Sequence, residues 1–469
     1  MNLTSIIYLP FLTLTLILFY LLKDRDRGRY WLLLIASYIF YGWWDVRFLS
    51  LIIIVSFSNY LAGKWIYAAT QKKERRRILV FSLIISLGIL GYFKYCNFFI
   101  ETFSSMMGFM GMDVGSPLLD IVLPVGISFY TFQAMSYTID IYRGIMKPTS
   151  GPLEFFTYVA FFPQLVAGPI VKARFLIPQL DSIGSNTLQE EGVLRILYGL
   201  CKKLLLADVL ARLIVDPAFN NPSEYQGIPM LLAVYGYTFQ IFLDFSAYTD
   251  IAIGSAQLFG FRLPVNFRSP YLAADPREFW SRWHITLSTW LRDYLYISLG
   301  GNRKGRRRTY INLFITFVLG GLWHGAGMNF IIWGCLHALY AIVYRFQAVA
   351  NILEKIPRGI RIFVFFHLCA FAWVFFRSSS MAQVSDALSS LVHMNFASVQ
   401  SALCLKVAAI LGICVAVHNL IEPRIEDLGL RYAGSPAFVR GAMVYGFSLM
   451  LYYASELSYL HSAFIYFQF

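Results

Sequence analysis

Long apolar runs recur from one end of this chain to the other, and they constrain its fold more than any other feature. "IIYLPFLTLTLILFYLL" (6–22), "YWLLLIASYIFYGWW" (30–44), "FLSLIIIVSFSNYLAGKWIYAA" (48–69) and "ILVFSLIISLGILGYF" (78–93) open the series. Further runs lie near 310–346, 362–376, 402–421 and 437–454. Backbone amides in hydrocarbon must be satisfied inside the spanning element, which restricts the choice to helices or a closed barrel. The runs are much longer than the roughly ten-residue alternating strands of a barrel. Some fall short of the roughly 20 residues of a spanning helix and need tilt or interfacial residues to complete them. The chain is 58% hydrophobic and 14% charged, too little charge for the polar skin of a soluble protein. The expectation is an all-α polytopic membrane protein, a single domain over 1–469, with about eleven transmembrane helices plus re-entrant and interfacial helices.

The first run lacks a basic leader and a small-residue cleavage site, so it reads as a retained helix rather than a signal peptide. "KDRDRGR" (23–29), "KKERRR" (72–77) and the Lys147 region are expected to face the cytoplasm. Helices at about 31–44 and 51–69, then 78–100 and 118–142, alternate between these loops, which places the N-terminus outside. The net charge of +13 then marks topology and contact with anionic lipids, with no basic module suited to nucleic acid. Cys96, Cys201, Cys335, Cys369, Cys404 and Cys414 mostly sit in apolar runs without C-x-x-C spacing and are expected to be packed thiols.

Between about 120 and 340 the pattern changes. "LPVGISFYTFQAMSYTIDIYRG" (123–144) and "FFPQLVAGPIVKARFLIPQL" (161–180) read as broken or re-entrant helices, tolerated in a bilayer only where protein or a watery cavity receives the freed backbone groups. They imply either a central funnel or ordinary proline kinks. Asp244 and Asp250 interrupt another apolar stretch. Ionised carboxylates there need internal partners or hydration, and their spacing places them about 120° apart on a helix, not on one face. In "NFRSPYLAADPREFWSRWHITLSTWLRDYLYISLGGNRKGRRR" (266–308), Asp275 can cap a helix starting at Pro276. The Trp- and Arg-rich stretch that follows, around His284, suits an interfacial or re-entrant helix.

"LGGLWHGAGMNFIIWG" (319–334) sets His324 among glycines that permit close approach of backbone or ligand. Such a histidine either packs or performs chemistry, and imidazole can take a proton from an alcohol near neutral pH. No H-E-x-x-H, cysteine cluster or paired carboxylate–histidine spacing makes a recognisable metal site. There is no G-x-S-x-G elbow, and "GGLWHGAG" lacks dinucleotide-loop spacing.

"PREFWSRWHITLSTWLRDYLYISLGGNRKGRRRTY" (276–310), "LGGLWHGAGMNFIIWG" (319–334) and the terminal "FIYFQF" (464–469) together resemble the membrane-bound O-acyltransferase family. The bacterial branch acting on alginate, other exopolysaccharides and peptidoglycan is the most similar. "PVGISFYTFQ" (124–133), "FFPQLVAGPI" (161–170) and "DFSAYTDIAIG" (244–254) extend the resemblance along nearly the whole chain. It implies a ring of membrane helices around a central catalytic funnel in a bacterial inner membrane. His324 would be the principal catalytic residue and His284 a second one. Trp283, Asp293, Asn302, Arg303 and Trp323 would position substrate or donor, with no metal. The donor would be acetyl-CoA or another acyl thioester, with no tightly bound cofactor. The partners would be an extracytoplasmic acetyltransferase and polysaccharide-synthesis machinery. Alternatives are D-alanyl transfer for teichoic acid, or a transporter of an acylated carrier.

Overall fold

A computed structural model of the protein describes residues 1–456 apart from Ile6, Asp113, Ser116, 184–186 and 394–400. The "FIYFQF" terminus lies outside the described residues. Those described form helices and connecting turns, without strands among them. Among the described residues, five helices are long and apolar enough to cross a membrane, or six if the bent pair Met328–Val343 and Gln347–Glu354 is one span. Reaching the eleven expected would require shorter helices such as Tyr8–Leu21 to span as well. The helices group into two compact units, residues 1–189 with 255–264, and residues 190–254 with 265–469.

The first unit is built on Ile127–Tyr142, buried along all but its last residue. The sequence reads 123–144 as broken, but the helix is uninterrupted, because its proline and glycines, Pro124, Gly126 and Gly144, all lie outside Ile127–Tyr142. Gly126, in the left-handed region at φ 76°, starts it, and a β-carbon there would lie 2.8 Å from the Leu165 carbonyl oxygen. Burial from every side leaves its polar groups dependent on neighbours. Thr138 donates to Asn59 Oδ1 at 2.7 Å, and Gly63 admits Tyr137 where a β-carbon would crowd it at 2.5 Å. The second expected break is present. Phe162–Leu165 and Ala173–Asp181 flank a non-helical stretch, whose Val171 carbonyl accepts from the Tyr158 hydroxyl at 2.8 Å. Lys72–Phe109 is a single helix of 38 residues. The basic residues 72–77 form its first turns instead of a loop, since neither glycine nor proline separates them from the apolar run. The helix expected from 118 begins only at Ile127.

In the second unit, Glu191–Cys201 packs closely on Ile228–Leu258. A β-carbon at Gly199 would lie 2.7 Å from the Ala247 carbonyl oxygen, and one at Gly254 would lie 2.6 Å from that of Gly192. Small residues of this kind let membrane helices approach backbone to backbone. The carboxylates of the longer helix find the partners their position demands. Asp250 binds Arg195 Nε at 2.9 Å and Lys202 Nζ at 2.5 Å. Asp244 binds Lys203 at 2.9 Å, Lys203 binds Asp208 at 2.8 Å, and Lys202 reaches Glu422 at 3.2 Å. A π-helical turn over Lys202–Ala207 carries both lysines, so the two carboxylates are held by consecutive residues although they do not share a helix face.

Candidate active site

Gly305–His324 and Met328–Val343 form a hairpin closed by glycines. A β-carbon at Gly334 would lie 2.5 Å from the Phe317 carbonyl oxygen, and one at Gly321 would collide with that of Phe330. Larger residues at either position would separate the helices. His324 is the last residue of the first helix, where the partial negative charge of a helix C-terminus stabilises a cation by up to about 2 kcal/mol when partly buried. Aromatic rings enclose it: Trp323 at 5.0 Å, Phe376 at 5.1 Å and Trp333 at 5.2 Å between centroids. The residue keeps only 4% of its surface exposed.

His284 reaches the same place from a different segment. Asp275 caps the helix Pro276–Trp280 by accepting from Glu278 N at 2.8 Å, as its sequence position predicts. Glu278 accepts from Ala274 N at 2.8 Å and pairs with Arg282 at 2.9 Å and Arg358 at 2.7 Å. Desolvation pushes the Glu278 carboxyl up, but Arg358, the Ala274 amide and Arg282 outweigh it and hold the group below its ordinary range. His284 itself adopts a left-handed backbone, φ 40° and ψ 52°, which costs a non-glycine residue about 1–3 kcal/mol. A clamp centred on Asn266 maintains it. Asn266 O accepts from Ile285 N at 3.0 Å, and Asn266 Oδ1 accepts from Thr286 N at 3.1 Å and Thr286 Oγ1 at 2.6 Å.

The two histidines, 40 positions apart in sequence, meet with ring centroids 6.2 Å apart. Direct hydrogen bonding is beyond that spacing, but an oxygen between them can reach both rings at about 2.7–3.2 Å. Phe245 stacks edge-on against His284 at 4.7 Å, and Trp323 contacts both imidazoles. An imidazole pair enclosed by aromatic surface can exchange a proton with a hydroxyl in a site of low polarity, which is the requirement of acyl transfer to an alcohol.

The other expected site residues are placed unequally. Trp323 lies at the centre. Trp283 is fully buried and packs on Trp373 at 4.9 Å, one ring removed from Phe376 and Trp333. Asp293 accepts from Arg292 Nε at 2.8 Å on a π-helical turn. Asn302 and Arg303 are exposed beyond the opposite end of the Gly305–His324 helix, about 30 Å along its axis from His324 at 1.5 Å per residue. They do not reach the two imidazoles. Trp333, Phe376, Phe245 and the Asn266 clamp escaped sequence reasoning as parts of the site. Trp333 alone left a signal, since its indole continues the motif that contains His324.

The sequence model of "MBOAT, membrane-bound O-acyltransferase family" matches residues 33–383. "Probable alginate O-acetylase AlgI" of Pseudomonas syringae pv. tomato is 43% identical over 381 residues, covering 81% of this chain and 72% of that protein. "Peptidoglycan O-acetyltransferase" of Helicobacter pylori is 35% identical over 395 residues, 78% of this chain and 74% of that protein. "Teichoic acid D-alanyltransferase" of Streptococcus thermophilus is 31% identical over 234 residues, 47% of this chain and 56% of that protein. The chain belongs to the membrane-bound O-acyltransferase family. It is a multi-pass membrane O-acyltransferase.

Proposed function

We propose that this protein transfers an acetyl group from a cytoplasmic thioester, acetyl-CoA being the simplest donor, toward an extracytoplasmic hydroxyl during O-acetylation of alginate or a similar cell-surface polysaccharide. The convergence of His284 and His324 in one aromatic enclosure carries the reading. His324 takes the proton of the acceptor hydroxyl as its oxygen attacks the thioester carbonyl. The new C–O bond forms, the C–S bond breaks, and the proton passes from His324 to the departing thiolate. His284 orients the hydroxyl, and Trp323 lines the space between the rings. Trp283 and Asp293 support the surrounding segment. The exposed Asn302 and Arg303, with the basic residues 304–308, meet anionic headgroups or the remote phosphates of the donor. An extracytoplasmic acetyltransferase and the polysaccharide-synthesis machinery receive the acetyl group.

Support for acetyl over D-alanyl transfer comes from the relatives, since the acetyl-transferring proteins match most of the chain. Purified protein in proteoliposomes, supplied with isotope-labelled acetyl-CoA and alginate oligosaccharides, tests the proposal by mass spectrometry of the product. Acetyl ester on the acceptor is the expected result. Label remaining entirely in the thioester, with D-alanyl transfer observed from a charged carrier, would replace this reading with the alternative.

A further inference from the structure

The helix Met328–Val343 carries another imidazole, His337, one turn beyond Trp333 and fully buried. Its ring lies 4.7 Å from Trp333, 5.1 Å from Trp280 and 5.7 Å from Tyr340, and is nearly parallel to Phe279 at 5.9 Å. Trp333 is the same indole that contacts His324, so the two imidazoles share a wall. Neither His337 nitrogen has a hydrogen-bond partner among the described residues, and the same holds for Nε1 of Trp280, Trp333 and Trp373. His418 provides the contrast within the same unit. It is equally enclosed, but its Nε2 accepts from Tyr271 N at 3.1 Å and its Nδ1 meets Asn419 Oδ1 at 2.6 Å. A histidine that serves only to pack is satisfied in this way.

Chemistry narrows what the His337 cluster can receive. Each indole offers a donor and no acceptor, whereas a neutral imidazole offers one of each. Buried and unsatisfied, these groups are costly, and phenylalanine would fill the imidazole's place without that cost. Several donors beside a single acceptor nitrogen are complementary to a group that gives one hydrogen and takes others, namely a hydroxyl. We propose that His337, with the indoles of Trp280, Trp333 and Trp373, forms a hydroxyl-binding subsite adjoining His324. The hydroxyl donates to the His337 nitrogen, and its oxygen accepts from indole N–H. The inference rests on the acyl-transfer reading above, with bond exchange remaining at His324. His337 is a positioning residue. The bound group is either a hydroxyl of the acceptor itself or a water that aligns it, and kinetics separates these sources.

The test uses full-length His337→Phe and His337→Gln in proteoliposomes, with acetyl-CoA and alginate oligosaccharides as probes and His324→Ala as reference. The Phe variant is expected to melt no lower than wild type and to lose about tenfold in transfer, equivalent to about 1.4 kcal/mol, with most of it restored in the Gln variant. A rise in KM for the oligosaccharide at unchanged KM for acetyl-CoA assigns the hydroxyl to the acceptor. A fall in kcat with both KM values unchanged assigns it to water. Trp280→Phe removes one donor without touching the imidazole and is expected to cost about threefold. Wild-type kcat and KM in a folded His337→Phe protein, or in Trp280→Phe should the former not fold, would overturn the subsite. Full transfer by folded His324→Ala would instead overturn the catalytic reading on which it stands.

Discussion

The second unit buries two polar regions of opposite design. Around Lys202 and Lys203, every charged group is matched: Asp250 holds Arg195 and Lys202, Asp244 and Asp208 hold Lys203, and Glu422 closes the cluster. Around His324 and His337, imidazoles and indoles stand among aromatic rings, with ring contacts far outnumbering ion pairs. The first arrangement spends its hydrogen-bonding capacity on itself and fixes helices. In the second, His337 and the indoles of Trp280, Trp333 and Trp373 keep capacity for something that arrives. Burial alone therefore does not mark a reactive site in a membrane bundle. At His337 the distinguishing property is that the buried polar group is not already satisfied, unlike the lysines and carboxylates of the first region.

Mutations should separate the two regions. The largest effect on turnover is expected from His324→Ala, a loss of about 10²–10⁴ in kcat, with the thermal midpoint in detergent nearly unchanged. Equal losses of kcat and thermal midpoint would erase the contrast. Asp250→Ala is the reverse case, because it strands Lys202 and Arg195 without their shared carboxylate. A loss of about 3–5 kcal/mol is expected, read as a much lower midpoint, while activity per folded molecule changes little. Asn266→Ala lies between them. It removes the acceptor of Thr286 N and Oγ1 and should cost about 1–3 kcal/mol, with kcat falling more than either KM because His284 loses its backbone geometry.

Smaller still is Arg358→Ala, which removes one of two guanidinium partners of Glu278. Since the folded Glu278 carboxyl titrates below its ordinary value of 4.5, its contribution is complete above that value and disappears as pH falls through the folded one. The difference in thermal midpoint between wild type and variant should be constant near neutral pH and shrink as pH falls below 4.5 and through the lowered folded value. A difference that grows on acidification would contradict the assignment of Arg358 as its principal stabiliser.

Much of this was legible before any coordinates. The apolar runs announced helices, Asp275 and Pro276 announced a helix start, and the glycines around His324 announced a close approach of backbone or ligand. Asp244 and Asp250 announced internal partners or hydration, and the structure supplies partners. Their partners were not identifiable, because consecutive Lys202 and Lys203 can present side chains to different carboxylates only through the local π-helical turn. His337 also escaped notice, since "CLHALY" reads as an ordinary membrane helix. Its meaning comes from Trp280 and Trp373, which belong to other segments. Asn302 and Arg303 share the family resemblance with His324 but not its place, since a 20-residue helix separates them from it.

The central claim is that His284 and His324 act on one hydroxyl, and a double-mutant cycle on kcat for acetyl transfer measures this directly. The account predicts strong non-additivity, with the folded His284→Ala/His324→Ala protein no slower than His324→Ala alone. Independent losses that multiply in the double variant would contradict it.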